Sequence, residues 1–378
     1  MNQDRPAVGH VLHRLSRAGA EVLAGDLARK LADRYRFVFL CLDGVGPLGQ
    51  ELAAQGYVVV DLKRRPGLDR SVARRLREAV REHDIGLLHA HQYTPFFYSG
   101  LSRRLGSSPP ILFTEHGRHY PDRRRLRRVL ANRWLLKRTD RVSAVGRFVK
   151  QALIDNEGIG EQRVELIHNG IDPDAFPPAE PSSRAAARGL IGVDEDTPVV
   201  MQVARFHPVK DHDTAVRAFA RVVDAMPDAR LCLIGEGERR PAIEALCAEL
   251  GIYDHVLFLG ARNDVAALLP AADVFMLSSV SEGVSVTLLE AMATGLPIAA
   301  TGVGGNGEVI EDTKTGLLSS RGDSHALADN LVALLRSPAR CRAMGSAGRA
   351  RLEARFTQTR MHEAYTEMYR QLFSRHCG

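Results

Sequence analysis

The feature that most constrains this chain is a rhythm of short, continuous apolar runs alternating with amphipathic stretches, found twice along its 378 residues. Runs at 8–13, 37–42, 57–62, 86–90 and 110–113 have the unbroken apolar character of strands buried on both faces, while 20–33, 48–55 and 69–83 carry helical spacing. Parallel sheets require that burial, because their crossover helices cover both faces. A stretch at 180–196, rich in Pro, Ser, Ala and charge, reads as an interdomain linker. The rhythm then restarts, with strands predicted at 199–203, 230–234, 255–259, 274–277 and 298–301. The expected fold class is α/β, built of two doubly wound Rossmann-like domains at 1–178 and 179–357. In such sheets ligands bind beyond the carboxyl ends of the strands, so a cleft between two such domains is the expected site.

Composition narrows the class further. No segment approaches the roughly 20 consecutive apolar residues of a membrane-spanning helix. The first residues, Met1 to Pro6, are polar, and no secretory apolar region follows them, so a cytoplasmic location is expected. The five cysteines (Cys41, Cys232, Cys247, Cys341 and Cys377) are scattered and form no C-x-x-C pair, which argues against a disulfide framework or a structural zinc site. The net charge of +6 is unevenly spread. Residues 1–180 hold about 30 Lys and Arg against about 21 Asp and Glu, an asymmetry that suits either an anionic partner or a solvated basic surface.

Four local patterns sit at strand ends. The first is Ser281-Glu282-Gly283-Val284-Ser285-Val286-Thr287-Leu288-Leu289-Glu290. Two carboxylates eight positions apart on one helix would stand about 12 Å apart along its axis, too far for a hydrolase pair. With Glu282 in a loop and Glu290 two turns into a helix, small residues would open a helix N-terminus whose unpaired N–H groups suit phosphate. The second pattern is Arg205-Phe206-His207-Pro208-Val209-Lys210, a guanidinium fork and a point charge for a diphosphate. The third is Thr114-Glu115-His116-Gly117-Arg118-His119, in which His116 stands at a strand end. His89, His91, His116 and His119 raise a zinc reading, but no Cys completes it and no metal site is expected. The fourth is Arg17-Ala18-Gly19-Ala20-Glu21, a small-residue turn after the first strand. It is not the dinucleotide fingerprint, and no Walker motif is present. Gly302-Val303-Gly304-Gly305-Asn306-Gly307-Glu308 reads as a flexible backbone-rich loop, and Asp172-Pro173-Asp174 as a turn rather than a magnesium site.

In this order these residues resemble the group 1 (family 4) glycosyltransferases, which are retaining and have the GT-B fold. The resemblance rests on Ala18-Gly19-Ala20-Glu21, Thr114-Glu115-His116-Gly117, Ile167-His168-Asn169-Gly170-Ile171-Asp172, Arg205 with Lys210, Glu282 with Glu290, Val303 to Ile310, and Thr315-Gly316-Leu317-Leu318. It covers nearly the whole chain. Ala18, His168 and Gly302 depart from the family's usual Gly, Pro and Asp. The resemblance implies a hexosyl-type transfer from a UDP- or GDP-sugar to a glycan or lipid-linked acceptor, in polysaccharide or glycolipid biosynthesis, with no metal and no other cofactor. Arg205 and Lys210 would hold the donor diphosphate and stabilise the leaving group, Glu290 would bind the ribose, and Glu282 would contact the transferred sugar. Gly283, Val284 and Ser285 would line the donor, His116 would position the sugar, and Gly19 would admit the diphosphate. A last helix at about 358–378 would cross back to the first domain, and Met361, Tyr365, Met368 and Leu372 fall on one face of it.

The resemblance places the acceptor against the first, basic domain. Around 123–138 a run of Arg and Lys surrounds Leu126, Val129, Leu130 and Trp134, which can share a helix face. Such a helix either lies peripherally on an anionic membrane, at its cytoplasmic side, or docks on its own domain with a solvated face. No nucleic-acid motif accompanies the charge. An epimerase of the same fold, a phosphorylase and a non-catalytic nucleotide-sugar scaffold remain alternatives.

Overall fold

A computed structural model of the chain describes residues 5–16, 19–103, 109–118 and 122–374. Arg17, Ala18, His119 and Cys377 lie outside the described residues. The chain divides into two units, Met1–His168 with Thr359–Gly378, and Asn169–Gln358. Within the second unit Gly170 lies so close to the Thr357 carbonyl that no side chain would fit, and Ile171 bridges to Thr357.

The first unit alternates strands and helices: β1 (Ala7–Leu12), α1 (Gly19–Lys30), β2 (Arg36–Cys41), α2 (Gly46–Ala54), β3 (Val58–Asp61), α3 (Arg70–Glu82), β4 (Ile85–His91), α4 (Tyr93–Arg103), β5 (Ile111–Glu115), α5 (Leu126–Leu135), β6 (Arg141–Ala144), α6 (Arg147–Asp155) and β7 (Val164–Leu166). All its strand pairings are parallel, in the order β3-β2-β1-β4-β5-β6-β7, so the order reverses between β1 and β4. Local chemistry sets the helices. Asp69 caps α3 by accepting from the Ser71 N–H at 3.0 Å, and Val72, Leu76, Ala79 and Val80 bury one face while Arg70, Arg74 and Arg81 are exposed. One face of the sheet packs Val11, Val38, Leu40, Leu88, Ala90 and Phe113 into an apolar core. The other face brings His10 together with Phe37, Phe39, His89 and His91.

The second unit contains α7 (Pro181–Ile191), β8 (Val199–Val203), α8 (His212–Ala225), β9 (Arg230–Ile234), α9 (Arg240–Glu249), β10 (Val256–Gly260), α10 (Val265–Leu268), β11 (Val274–Leu277), α11 (Val286–Ala293), β12 (Ile298–Thr301), α12 (Asn306–Val309), β13 (Gly316–Ser319), α13 (Ser324–Leu335) and α14 (Pro338–Arg355). Its sheet is also parallel, ordered β10-β9-β8-β11-β12-β13, with apolar cores on both faces. The last helix, α15 (Gln358–Ser374), runs into the first unit and buries Met361, Tyr365, Met368, Tyr369 and Leu372. Gly86 leaves the room that the Phe373 ring fills, since a Cβ there would come within 2.8 Å of it.

The linker expectation at 180–196 is corrected. Residues 181–191 form α7, with Glu180 and Ser183 in a capping box, Pro181 in the first turn and left-handed Gly192 at its end. Its Arg188 is buried and donates to the carbonyls of Asp194, Glu195 and Thr197 and to Asp273. Pro, Ser and Ala there are helix-start chemistry rather than linker chemistry. Strands β6, β7 and β13 escape the apolar-run criterion, because Arg-Val-Ser-Ala, Val-Glu-Leu and Gly-Leu-Leu-Ser are short or interrupted by polar residues.

Candidate active site

In the second unit the predicted residues gather after β8 and β11. Pro208–Lys210 forms one 3₁₀ turn, capped by the His207 side chain, and Asp211 takes a left-handed conformation (φ 48°) to start α8. Ser278, just past β11, donates to the Lys210 and Asp211 carbonyls at 3.0 and 2.9 Å, and the Val280 N–H bonds to the Val209 carbonyl. This stitching carries the Lys210 ammonium to Oε1 of Glu282 at 2.5 Å, where Ser279 Oγ also donates at 2.6 Å. Glu282 is therefore held in its loop by two donors. Arg205 is exposed, and its guanidinium has no hydrogen bond or ion pair among the described residues.

Gly283 and Val284 lead to Ser285, the N-cap of α11, whose side chain makes no cap bond and instead meets Thr287 Oγ1 at 3.1 Å. The first N–H groups of α11 thus lack a side-chain cap. Glu290 lies in the second turn. Burial pushes its carboxyl up to about 7, and no cation is paired with it among the described residues. The Val284 carbonyl accepts from Asn169 Nδ2 at 3.0 Å.

The 302–308 loop differs from its sequence reading. Its glycines serve close packing: a Cβ on Gly304 would stand 2.0 Å from the Glu282 carbonyl oxygen, and one on Gly305 1.7 Å from that of Gly283. The loop thereby backs the segment that carries Glu282. Asp172-Pro173-Asp174 is a 3₁₀ turn closed by Asp172 on the Asp174 N–H. Sequence reasoning missed Gly235-Glu236-Gly237, directly after β9. Both glycines have positive φ, and side chains there would strike the Ala204 and Phe206 carbonyls. The signal was available as a G-x-G at a strand end.

In the first unit Gly19 is exposed at the first position of α1. His116 follows β5 in a loop braced by charge. Arg118 donates to Asp122 and to Glu157, and Glu157 also takes Arg128 and Asn132. Burial pushes the Glu115 carboxyl up to about 7 in spite of neighbouring Arg118. His116 Nε2 meets His91 Nδ1 at 2.9 Å, and His91 Nε2 meets His10 Nδ1 at 2.8 Å. His89 stands beside them, its two nitrogens on Tyr369 Oη of α15 and on Thr114 Oγ1, both at 2.7 Å. His10, His89 and His91 bring nitrogens within 4.8 Å of one another, a spacing that admits a metal ion. No carboxylate or thiolate joins the three, and both nitrogens of His89 and of His91 already face hydrogen-bond partners, so the set fits shared protons better than a dication. His10 was not singled out from sequence. The hint is a histidine in the middle of the apolar run Ala7–Leu12.

Residues 17–175 match the model described as Glycosyltransferase Family 4, and residues 183–351 match that of Glycosyl transferases group 1. The chain is 31% identical over 327 residues to the GDP-mannose-dependent alpha-(1-6)-phosphatidylinositol monomannoside mannosyltransferase of Mycolicibacterium smegmatis, covering 81% of this chain and 82% of that one. The chain belongs to the group 1 glycosyltransferases. This glycosyltransferase is also 27% identical over 373 residues to the N-acetyl-alpha-D-glucosaminyl L-malate synthase of Bacillus anthracis, covering 93% of each. In structure it is similar to Anabaena HepE, solved in complex with UDP-glucose, with a TM-score of 0.83 at 20% identity over 96% of this chain and 99% of that one. The fold of the glycosyltransferase is GT-B, with two parallel-sheet α/β units.

Proposed function

We propose that this glycosyltransferase moves a hexosyl-type sugar, with retention at the anomeric carbon, from a UDP- or GDP-sugar to a glycan or lipid-linked acceptor, and that it needs no metal ion. The observation that carries the reading is the Lys210 ammonium held 2.5 Å from Glu282 while Arg205, in the same β8 loop, is left without a partner. HepE was solved with UDP-glucose, and the mycobacterial relative is named for GDP-mannose, which supports a nucleotide-diphosphate donor.

The chemistry follows from charge. As the bond from the sugar to the diphosphate breaks, negative charge grows on the leaving phosphate. Arg205 offers a planar fork and Lys210 the two ammonium protons not given to Glu282. The uncapped N-terminus of α11 adds oriented N–H groups. Donors fixed before the reaction stabilise that charge without reorganising, which is the role a divalent cation has in other transferases. Glu282 positions Lys210 and contacts sugar hydroxyls, Glu290 accepts from the ribose, and Gly283, Val284 and Ser285 line the donor. On the first unit, His116 positions the sugar and Gly19 opens the turn toward the diphosphate.

The acceptor side belongs to the same proposal. Val129 of α5 turns into the core, whereas Leu126, Leu130 and Trp134 are 71, 64 and 50% exposed, at successive i+4 positions among Arg124, Arg125, Arg127 and Arg133. Among the described residues no helix is long and apolar enough to cross a membrane. A basic stripe with apolar wedges suits peripheral attachment to an anionic, cytoplasm-facing bilayer that presents a lipid-linked acceptor.

The test is binding and slow hydrolysis of UDP-, GDP- and ADP-sugars with a chelator present, for wild type and Lys210→Ala. One donor should bind and turn over, with turnover lost by about a hundredfold or more in the variant. No binding across the panel ends the reading and leaves a scaffold. Vesicles with phosphatidylglycerol should retain wild type, and a Leu126→Ser/Leu130→Ser variant should be released; equal release of both removes the membrane part.

A further inference from the structure

At the carboxyl edge of the first sheet, three strand ends converge on one carboxylate. Asp43 follows β2, and its Oδ2 accepts from His13 Nδ1, just past β1, at 2.8 Å. Arg64, past β3, closes on the same group with a fork, Nε to Oδ1 at 2.7 Å and Nη2 to Oδ2 at 2.9 Å. Burial resists ionisation of Asp43, but the bonds from Arg64 and His13 outweigh it and hold the carboxyl below the ordinary aspartate range. An ionised carboxylate only accepts, so the His13 proton is on Nδ1, and the neutral ring keeps a lone pair on Nε2. That nitrogen has no partner among the described residues, and the His13 side chain is 35% exposed.

The backbone beneath this group is fixed. The His13 carbonyl accepts from the Asp43 N–H at 2.7 Å, and the Leu15 carbonyl and N–H bond to Leu48 and Val45 at 3.1 and 3.2 Å. Gly46 has φ 76°, and a Cβ on it would stand 2.4 Å from the Leu15 carbonyl oxygen. The strand order reverses between β1 and β4, and open α/β sheets take ligands in the crevice at such a reversal, beyond the carboxyl ends. Pairing of β1 with β4 runs to Val11 on Ala90, so two further steps bring the His13 backbone level with that of Gln92, about 5 Å away across the sheet. Gln92 is a non-glycine residue at φ 73°, pinned by its N–H on the Thr114 carbonyl at 2.8 Å, and its side-chain amide has no partner among the described residues. Backbone strain of this kind collects where ligands are held.

We propose that His13, with Gln92 across the reversal, forms a subsite on the first unit for neighbouring hydroxyls of a carbohydrate or polyol. His13 Nε2 accepts a hydrogen bond from one hydroxyl, the Gln92 amide holds the next oxygen, and Asp43 and Arg64 are positioning residues that keep the lone pair outward. An anion offers no proton to a bare ring nitrogen, and Arg64 is already engaged by Asp43, so the chemistry selects a hydroxyl over a phosphate. That the hydroxyl belongs to the acceptor rests on the function proposed above; the polyol subsite does not. Two substitutions separate this role from packing. His13→Asn puts an amide N–H where Nδ1 was, so Asp43 keeps its partner while the outward nitrogen is lost. Asp43→Asn can donate to Nδ1 and turn the ring to its Nε2–H tautomer.

The probes are methyl α-D-mannopyranoside, myo-inositol and inorganic phosphate, added at pH 8 to full-length protein labelled with ¹⁵N-histidine; the His13 signals are those absent from His13→Asn. In wild type His13 should carry its proton on Nδ1, and one or both polyols should move the Nε2 resonance saturably, with affinity weaker by about tenfold or more in Gln92→Ala. An Nε2–H tautomer in wild type overturns the proposal, as does a shift with phosphate alone or with no probe at all. Transfer to the polyol that binds is then followed at steady state with the sugar nucleotide that the protein turns over. In His13→Asn and Asp43→Asn kcat/KM for that polyol should fall about tenfold or more, with donor KM changed less than about twofold and His13→Asn melting close to wild type. Losses that follow melting temperature, or a bound polyol left unglycosylated while the donor is hydrolysed, remove the acceptor role. A polyol that binds at His13 while no sugar nucleotide is turned over refutes the transferase reading and upholds the subsite.

Discussion

Three side chains of the proposed donor site are each in a different electrostatic state. Among the described residues Lys210 is paired, Arg205 has no partner, and Glu290 is a carboxyl with no cation beside it. The last has a pH signature. Its folded pKa, about 7, lies above that of an unfolded glutamate, so folding favours the protonated form. The folded state then binds more protons than the unfolded one between about pH 4.5 and 7, and stability must fall as pH rises through that window. Glu290→Gln should melt close to wild type near pH 4.5 and above it at pH 8. If ribose hydroxyls donate to Glu290, donor affinity should rise in wild type across pH 6–8 and stay flat in the variant. Donor affinity equally flat in both proteins would remove Glu290 from the site. The Arg, Lys and Glu residues were legible from sequence because their order and spacing are distinctive. That Lys210 would bond Glu282 rather than stand free was not, because 72 positions separate them and the Ser278 and Val280 bonds to the β8 loop bring them together.

At the scale of elements, packing decides what propensity leaves open. Strands buried on both faces were legible as apolar runs, and β8, β9, β11 and β12 fall at their predicted residues. Strands with polar residues were not, and α7 was read as a linker although its capping box and Pro181 were in view. Its Arg188 ties three carbonyls and Asp273, so Arg188→Met should leave buried acceptors unpaired and cost about 3 kcal/mol or more, seen as a lower melting temperature. The glycines of the 302–308 loop were read as flexibility, whereas they permit close packing on the Glu282 and Gly283 backbone. Gly305→Ala must displace the Gly283 backbone, and we expect donor affinity to fall by tenfold or more while α5 and the histidine chain, in the other unit, are unaffected. Wild-type affinity in Gly305→Ala would show that the loop gives way without cost.

Across the whole molecule, two sheets with separate cores were foreseen from the doubled rhythm, and the return of the last helix from the family resemblance, with Met361, Tyr365, Met368 and Leu372 on the face that it buries. The two units are not equivalent as chain segments. Residues 169–358 are continuous, whereas the first unit needs residues from both ends of that stretch. A fragment of 169–358 should therefore unfold cooperatively by itself, while a chain stopped after Gln358 should lose much of the first unit's stability, because the His89 ring loses Tyr369 and the sheet loses the cover of α15. Calorimetry on the two pieces checks both; a truncated chain that melts like the full protein would mean α15 is dispensable.

That helix also sets an order of events during synthesis. Domains ordinarily complete in the order in which the ribosome delivers them. Here the first 168 residues emerge before the helix whose Tyr365, Tyr369 and Phe373 pack against His89 and Gly86, so the first unit is expected to complete its packing only after residues 169–358 have been made. The segment made second is then expected to be the first that can finish, and the pairing of His89 with Tyr369 must await α15.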